Sequence, residues 1–304
     1  GVPRMMNFGV ELGTIELRSP LIAAAGTVGS VHDFADVDAF RVYGAAVAKS
    51  VSHEPWPGRS APRMAPVGPG MLNSIGIQNP GIDEWRSGMP ELSSLPVPVW
   101  GSAVGADPGE FALVTKGLSA AGVRAVEVNL SCPNLEEGTM FALNPDASAS
   151  VVGAVRAATD LPIGAKLSPN SEDIVAVARA VVAAGANFVV LANTVWGLGI
   201  DLDTRRPKIS GIVGGYSGPP VKPIALRCVW EVAAALEVPI VGCGGIRSGE
   251  DVIEYFLAGA SAVELGSIHF AEPRAGKRIL REIDDWCRRQ GIVSLGDLTG
   301  GAHG

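Results

Sequence analysis

Eight short apolar runs recur along the chain, most of them followed by residues with helical spacing, and this alternation constrains the fold more than any other feature. The runs are residues 21–26 (LIAAAG), 45–50 (AAVAKS), 97–103 (VPVWGSA), 125–131 (AVEVNLS), 162–168 (PIGAKLS), 187–193 (NFVVLAN), 239–244 (PIVGCG) and 262–267 (AVELGS). They are too continuously apolar for strands with one wet face, as expected of a parallel sheet covered on both sides. After 162–168, Asn170 or Ser171 is expected to cap a helix, with Glu172 and Asp173 in its first turn, where the helix dipole favours negative charge. Ile174, Val177, Ala178, Val181 and Val182 fall on one face, and Gly185 ends the run. SGEDVIEYFLAGA repeats the pattern, with Ser248 as cap and Gly259 as stop, and similar segments lie near 108–121, 146–159, 222–236 and 272–289. Eight strands with intervening helices in 304 residues predict an α/β fold, a (β/α)8 TIM barrel forming one domain over 1–304. A doubly wound open sheet is the rival.

Two features decorate that frame. Residues 7–18 (NFGVELGTIELR) alternate as an N-terminal β-hairpin able to plug the N-terminal mouth of the barrel. Residues 53–81 form a Pro/Gly-rich connection far longer than a usual βα loop, and a second excursion, 195–221, follows the sixth run. Long βα loops at the C-terminal face are where a barrel builds its active site.

Composition narrows the function classes. A net charge of −7 argues against a nucleic-acid surface, which needs clustered Lys and Arg. No apolar run reaches the roughly 18 residues of a membrane span, and the start, GVPRMMNFGV, has neither a signal-peptide core nor an amphipathic anchor, so no membrane partner is expected. Residues 1–6 read as a disordered or appended start. Cys132, Cys228, Cys243 and Cys287 are widely spaced, with no CxxC or Cys/His cluster. No metal is expected, and a reducing cytoplasm with free thiols is the natural setting.

The polar residues sort by position. Lys49, Asn129, Cys132, Lys166, Ser168, Asn193, Thr194, Gly244, Gly245, Gly266 and Ser267 all stand at the ends of runs, and Asn73 and Asn134 on adjoining loops, so a barrel brings them to one mouth. A lysine in an apolar strand is costly unless it meets an anion or an acceptor-rich ligand. The bland alternative is a pair of snorkelling surface lysines, and the other functional one is a Schiff-base amine. The glycine pairs at the seventh and eighth runs suit a phosphate site built from backbone N–H groups, although tight turns use Gly-Gly too. Asn73, Asn129, Asn134 and Asn193 offer uncharged donors and acceptors matched to the edge of a pyrimidine-like ring, while any one alone is an ordinary turn or cap residue. Cys228, Cys243 and Cys287 read as small core hydrophobes. Cys132 differs: it lies beyond a strand end and before a proline, where a thiol can serve as base or nucleophile. His32, His53, His269 and His303 are scattered, and none has an obvious claim to activate it.

Taken in order, AKS, MLNSIGIQNPG, VEVNLSCPN, AKLSPN, ANTVWGLGID, GGYSGPPVKPIALR, GCGGI and ELGS resemble the dihydroorotate dehydrogenase family across nearly the whole chain. The resemblance implies a (β/α)8 barrel that holds FMN at its C-terminal mouth and oxidises dihydroorotate to orotate in pyrimidine biosynthesis. It implies cofactor contacts from Lys49, Ser50, Asn129, Lys166, Ala192, Ser217, Gly218, Gly244, Gly245, Gly266 and Ser267, with Ala24, Ala25 and Gly26 beside the flavin as close backbone. Asn73, Ile75, Gly76, Ile77, Asn134, Asn193 and Thr194 would line the substrate, with Lys49 and Asn129 shared. Cys132 matches the general base of the soluble class 1 enzymes, where the membrane-associated class 2 carries serine. It would take the C5 proton while a hydride passes from C6 to flavin N5, and Lys166 would steady negative charge at the N1/O2 edge. The loop 135–144 is expected to close over the site.

The loop LNSIGIQNPG and the segment GGYSGPPVKPIALR look most like the class 1B catalytic subunit. That implies a homodimer, or a heterotetramer with a second subunit carrying FAD and a [2Fe–2S] cluster that relays electrons to NAD. AAAGTVG departs from the PASGTFG more usual in that subgroup. Related FMN barrels, a dihydropyrimidine dehydrogenase-like module or a dihydrouridine synthase, are the alternative enzymes, and a flavin-binding subunit without catalysis is the alternative of another kind.

Overall fold

Each apolar run becomes a strand, and each strand pairs with the next one in sequence. The computed structural model describes residues 6–34, 38–131, 133–134 and 139–304. The strands are β1 (Leu21–Ala23), β2 (Ala45–Val47), β3 (Val99–Ala103), β4 (Val126–Asn129), β5 (Ile163–Lys166), β6 (Phe188–Leu191), β7 (Ile240–Cys243) and β8 (Ala262–Leu265). All pairings are parallel, and β8 returns to β1 through Val263↔Leu21 and Leu265↔Ala23, which closes the barrel. That pairing excludes the open doubly wound sheet. All but β3 stop one to three residues before the apolar runs do. The tail of each such run leaves the ladder and turns into the C-terminal mouth.

The interior is filled by side chains of unequal size. Gly164 on β5 leaves the space that the Phe188 ring occupies on β6, and Phe188 packs against the fully buried Trp100 of β3 with ring centroids 5.3 Å apart.

Helices α1 (Ile82–Gly88), α2 (Pro108–Ala121), α3 (Pro145–Ala158), α4 (Ile174–Ala183), α5 (Lys222–Ala235), α6 (Gly249–Leu257) and α7 (Ala275–Gln290) occupy the connections. Ser248 caps α6 in a reciprocal box with Asp251, as its sequence predicts. The start of α4 differs from expectation. Asp173 is the cap and accepts from Ala176 N at 2.9 Å, so neither Asn170 nor Ser171 serves. The Asn170 carboxamide is engaged elsewhere: Nδ2 donates to Thr194 O at 3.1 Å and Oδ1 accepts from Trp196 N at 3.0 Å, tying the end of β5 to the excursion after β6. The last helix begins at Ala275 rather than near 272, because a short turn, Ile268–Ala271, comes first.

The hairpin pairs Val10–Leu12 with Ile15–Leu17 and buries Leu12 and Leu17. Its Gly13 turn approaches Pro239 and Asn187, the residues just before β7 and β6, so the hairpin lies across the N-terminal end of the barrel. The two long excursions are more ordered than loops. Met64–Val67 and Gly70–Asn73 from the first, and Val195–Gly197 and Gly214–Ser217 from the second, form one four-stranded antiparallel sheet. Its central register sets Asn73 opposite Gly215, so two segments far apart in sequence build one wall of the mouth. Among the described residues no helix is long and apolar enough to cross a membrane.

Candidate active site

A cavity of about 840 Å³ opens at the C-terminal ends of the strands, roofed on one side by the antiparallel sheet. The structure brings to it Ala24, Ala25 and Gly26 after β1; Lys49 and Ser50 after β2; Asn129 and Lys166 at the ends of β4 and β5; and Ala192, Asn193 and Thr194 after β6. The first excursion contributes Asn73, Ile75, Gly76 and Ile77, and the second Ser217 and Gly218. Gly244 and Gly245 after β7, and Gly266 and Ser267 after β8, complete the lining. Every candidate named from the sequence is in this lining except Cys132, Asn134 and Ser168, the last of which is buried beside it with its hydroxyl accepting from Asn170 Nδ2 at 2.9 Å. Cys132, the side chain of Asn134 and residues 135–138 of the loop 135–144 lie outside the described residues.

The carboxamides are oriented by one another and by hydroxyl groups. Asn129 Nδ2 donates to Ser50 Oγ at 3.2 Å, and Asn129 Oδ1 accepts from Asn193 Nδ2 at 3.3 Å. Ser50 is held in turn against Ser102 at 2.8 Å, and Asn193 Oδ1 accepts from Thr194 N at 2.8 Å. Asn73 Nδ2 donates to Gly215 O at 3.3 Å, which anchors it within the antiparallel sheet. These bonds fix which edge of each amide faces the cavity.

On the opposite side the chain comes close as bare backbone. Gly245 has φ +68°, and a Cβ there would lie 2.7 Å from Lys222 N and 2.9 Å from Gly218 O. Only glycine fits both the conformation and the space. Among the described residues the N–H groups of Gly245 and Ser267 donate to no carbonyl of the surrounding turns, so donors are left for an anion.

The two lysines differ in state. Lys49 is half-buried, and burial, reinforced by the nearby Arg63 charge, holds its pKa below the ordinary lysine value. Lys166 is buried and ion-paired, with Nζ 2.7 Å from Glu264 Oε2 and 3.5 Å from Glu127 Oε1. Burial disfavours its ammonium, but the two carboxyl groups overcome that and keep it charged. A buried, ion-paired ammonium is neither a snorkelling surface lysine nor a free Schiff-base amine. Glu127, which also lines the cavity, was not anticipated, nor was Glu264. The signal was present: each is a charged residue inside an apolar strand, the same anomaly that singles out Lys166.

Cys243 also departs from a plain core role. It lines the cavity, although burial pushes its thiol up to about 12 and leaves it neutral and unreactive. Cys228 and Cys287 are buried in α5 and α7 as free thiols. His269, unremarkable in sequence, is buried between Thr27 Oγ1 at 2.9 Å from Nδ1 and Tyr43 Oη at 2.8 Å from Nε2. Thr27 spends its own proton on Ala24 O, so it accepts from Nδ1–H, and a neutral imidazole then has Nε2 to accept from the Tyr43 hydroxyl. Burial lowers the His269 pKa to about 4, in keeping with that state. Among the described residues no group of three His, Cys, Asp or Glu side chains gathers as a metal site.

Closed barrel and mouth together define an α/β-barrel enzyme whose site offers amide edges on one side and backbone donors on the other. The family model for dihydroorotate dehydrogenase matches residues 8–286. The catalytic subunit of dihydroorotate dehydrogenase B (NAD(+)) from Trichlorobacter lovleyi is 42% identical over 298 residues, covering 97% of this chain and 98% of the relative. The subunits of the same name from Alkaliphilus oremlandii and Geobacter sulfurreducens are 39% and 42% identical, over 296 and 297 residues. Each alignment spans 97% of this chain, and 98% and 97% of the respective relative. The chain belongs to the dihydroorotate dehydrogenase family of flavin-dependent oxidoreductases.

Proposed function

We propose that this chain oxidises (S)-dihydroorotate to orotate with FMN bound at the barrel mouth and Cys132 as the general base. The observation that carries the reading is the meeting, around one cavity, of Asn73, Asn129 and Asn193 with Lys49 and a glycine-lined anion cradle at the far end. Orotate-like substrates carry a carboxylate and a ring edge of alternating N–H and C=O groups. Lys49 offers the carboxylate a charge, and the amides match the ring edge.

The donor set also fits FMN. Gly218, Gly244, Gly245, Gly266 and Ser267 suit its phosphate, while Ala24, Ala25 and Gly26 leave room for a flat ring beside β1. When bound, FMN supplies the two-electron acceptor for the substrate hydride. The protein's own part is to orient the substrate through the amides, to take the C5 proton on the Cys132 thiolate, and to hold the Lys166 ammonium at the wall of the cavity. A positioned base typically contributes about 10²–10⁴-fold.

The relatives are named catalytic subunits, which supports a second subunit here. In our reading it carries FAD and a [2Fe–2S] cluster and passes electrons to NAD, and this chain forms a homodimer in the cytoplasm. The decisive experiment mixes the flavin-loaded protein anaerobically with dihydroorotate and follows bleaching of the flavin. Reduction is expected with dihydroorotate. An oxidised flavin after dihydroorotate but a bleached one after dihydrouracil would transfer the assignment to a dihydropyrimidine dehydrogenase-like reaction. Subsequent addition of fumarate, NAD or a quinone identifies the acceptor.

A further inference from the structure

Three ionisable side chains from three strands meet inside the barrel. Lys166 of β5 lies between Glu264 of β8, at 2.7 Å, and Glu127 of β4, at 3.5 Å. Neither glutamate has any solvent exposure, and Lys166 has 6%. Cys243 of β7 is the fourth titratable member of the cluster and is a neutral thiol. One ammonium therefore faces two carboxyl groups.

Charges removed from water persist only when they are paired. Lys166 balances one carboxylate, and a second ionised carboxylate would stand buried and uncompensated. Two carboxyl groups in that position resolve the conflict by holding one proton between them. The distances say which group holds it. Glu264 Oε2 is at charge-assisted hydrogen-bond length from Nζ, as an ionised partner should be. Glu127 Oε1 stands at 3.5 Å from Nζ, the outer limit of a hydrogen bond, and neither Glu127 oxygen nor Glu264 Oε1 has a well-formed partner among the described residues, which leaves them to share the proton. Burial, and then the Glu264 charge, push the Glu127 carboxyl well above the ordinary glutamate value, in agreement. Glu127 and Lys166 line the cavity whereas Glu264 stands outside the lining.

We propose that Glu127 and Glu264 are positioning residues for Lys166, held as a one-proton pair in which Glu264 is the ionised counter-charge behind the ammonium and Glu127 is a neutral acid at the cavity wall. The proposal rests on the reading that a flavin occupies the mouth. Its consequence is electrostatic. The cluster is neutral overall, the ammonium is fixed between β4 and β8, and a ring gaining negative charge on reduction meets that ammonium without also meeting two carboxylates.

Infrared spectroscopy of the flavin-loaded protein at about pH 8, far above ordinary carboxyl values, reads the proton directly. A protonated-carboxyl C=O band is expected in the wild type. It is expected to vanish in both Glu127→Gln and Glu264→Gln, because the remaining glutamate then pairs with Lys166 and ionises. Each single variant loses a proton rather than a net charge, so the reduced-to-oxidised flavin ratio at a fixed potential should shift less than tenfold. Lys166→Met should lower it more than tenfold, a fall of about 30 mV or more for a two-electron couple.

A wild type without the acid band overturns the proposal, as does a band that survives in both variants. So does a single glutamine variant that raises the ratio more than tenfold. Should a variant fail to fold, the wild-type spectrum alone decides. The potential is measured with a chemical reductant and reference dyes, so a failure of dihydroorotate to reduce the flavin would sink the substrate assignment while leaving these readouts intact.

Discussion

At the scale of single residues, Cys132 carries the heaviest expectation. Cys132→Ala should keep a bound flavin and slow its reduction by dihydroorotate about 10²–10⁴-fold near pH 7; stopped-flow reduction at near wild-type rates would refute its role as base. His269 makes a different prediction. Above about pH 6.5 its imidazole is neutral in the folded and unfolded chain alike. As pH falls, the unfolded chain takes up the proton while the folded chain, with a pKa of about 4, does not. Stability should therefore fall between about pH 6.5 and 4, by about 3 kcal/mol in all. Urea unfolding across that range should show the loss in the wild type and a correspondingly weaker slope in His269→Gln. Residue-level reading found the mouth because a charged or amide group at the end of an apolar run is anomalous. It missed Glu127 and Glu264 because the test applied to the lysines was not applied to the acids, and it misassigned the α4 cap because Asn170, Ser171 and Asp173 are all competent caps within four residues. Tertiary contacts decided among them: Thr194 and Trp196 claim the Asn170 amide.

At the scale of elements, the turn after β7 is the most exacting. Gly245→Ala sets a Cβ against Lys222 N and Gly218 O in a conformation with φ +68°. It should weaken flavin binding at least about tenfold, the equivalent of about 1.4 kcal/mol, while far-UV circular dichroism stays unchanged. Fluorescence titration of the apoprotein with FMN checks this, and wild-type affinity would show that the turn is not a cofactor contact. The helices and barrel strands were legible because their patterns are local: a cap, an apolar stripe, a terminal glycine. The four-stranded antiparallel sheet was not. Its strands carry glycine and proline, as in MAPV and GGYS, and read as loops. Their central pairing joins Gly70–Asn73 to Gly214–Ser217, a segment more than a hundred residues away.

For the whole molecule, the barrel separates stability from chemistry by its two ends. The hairpin closes the N-terminal end with the buried Leu12, and the cavity opens at the other. Leu12→Ala should cost about 2–5 kcal/mol of unfolding free energy and leave the KM for dihydroorotate unchanged; a changed KM would mean that the two ends are coupled. The sequence by itself determined the eight strands, most of their helices, the parallel α/β architecture and most of the residues at the mouth, because periodicity and strand-end polarity are properties of neighbours along the chain. Only the tertiary structure decided that two glycine-rich excursions pair into one wall. It also decided that Lys166 has two buried glutamates for company, one of them 98 residues away. Such partnerships depend on which strands face each other across the barrel, and that is settled when β8 closes onto β1.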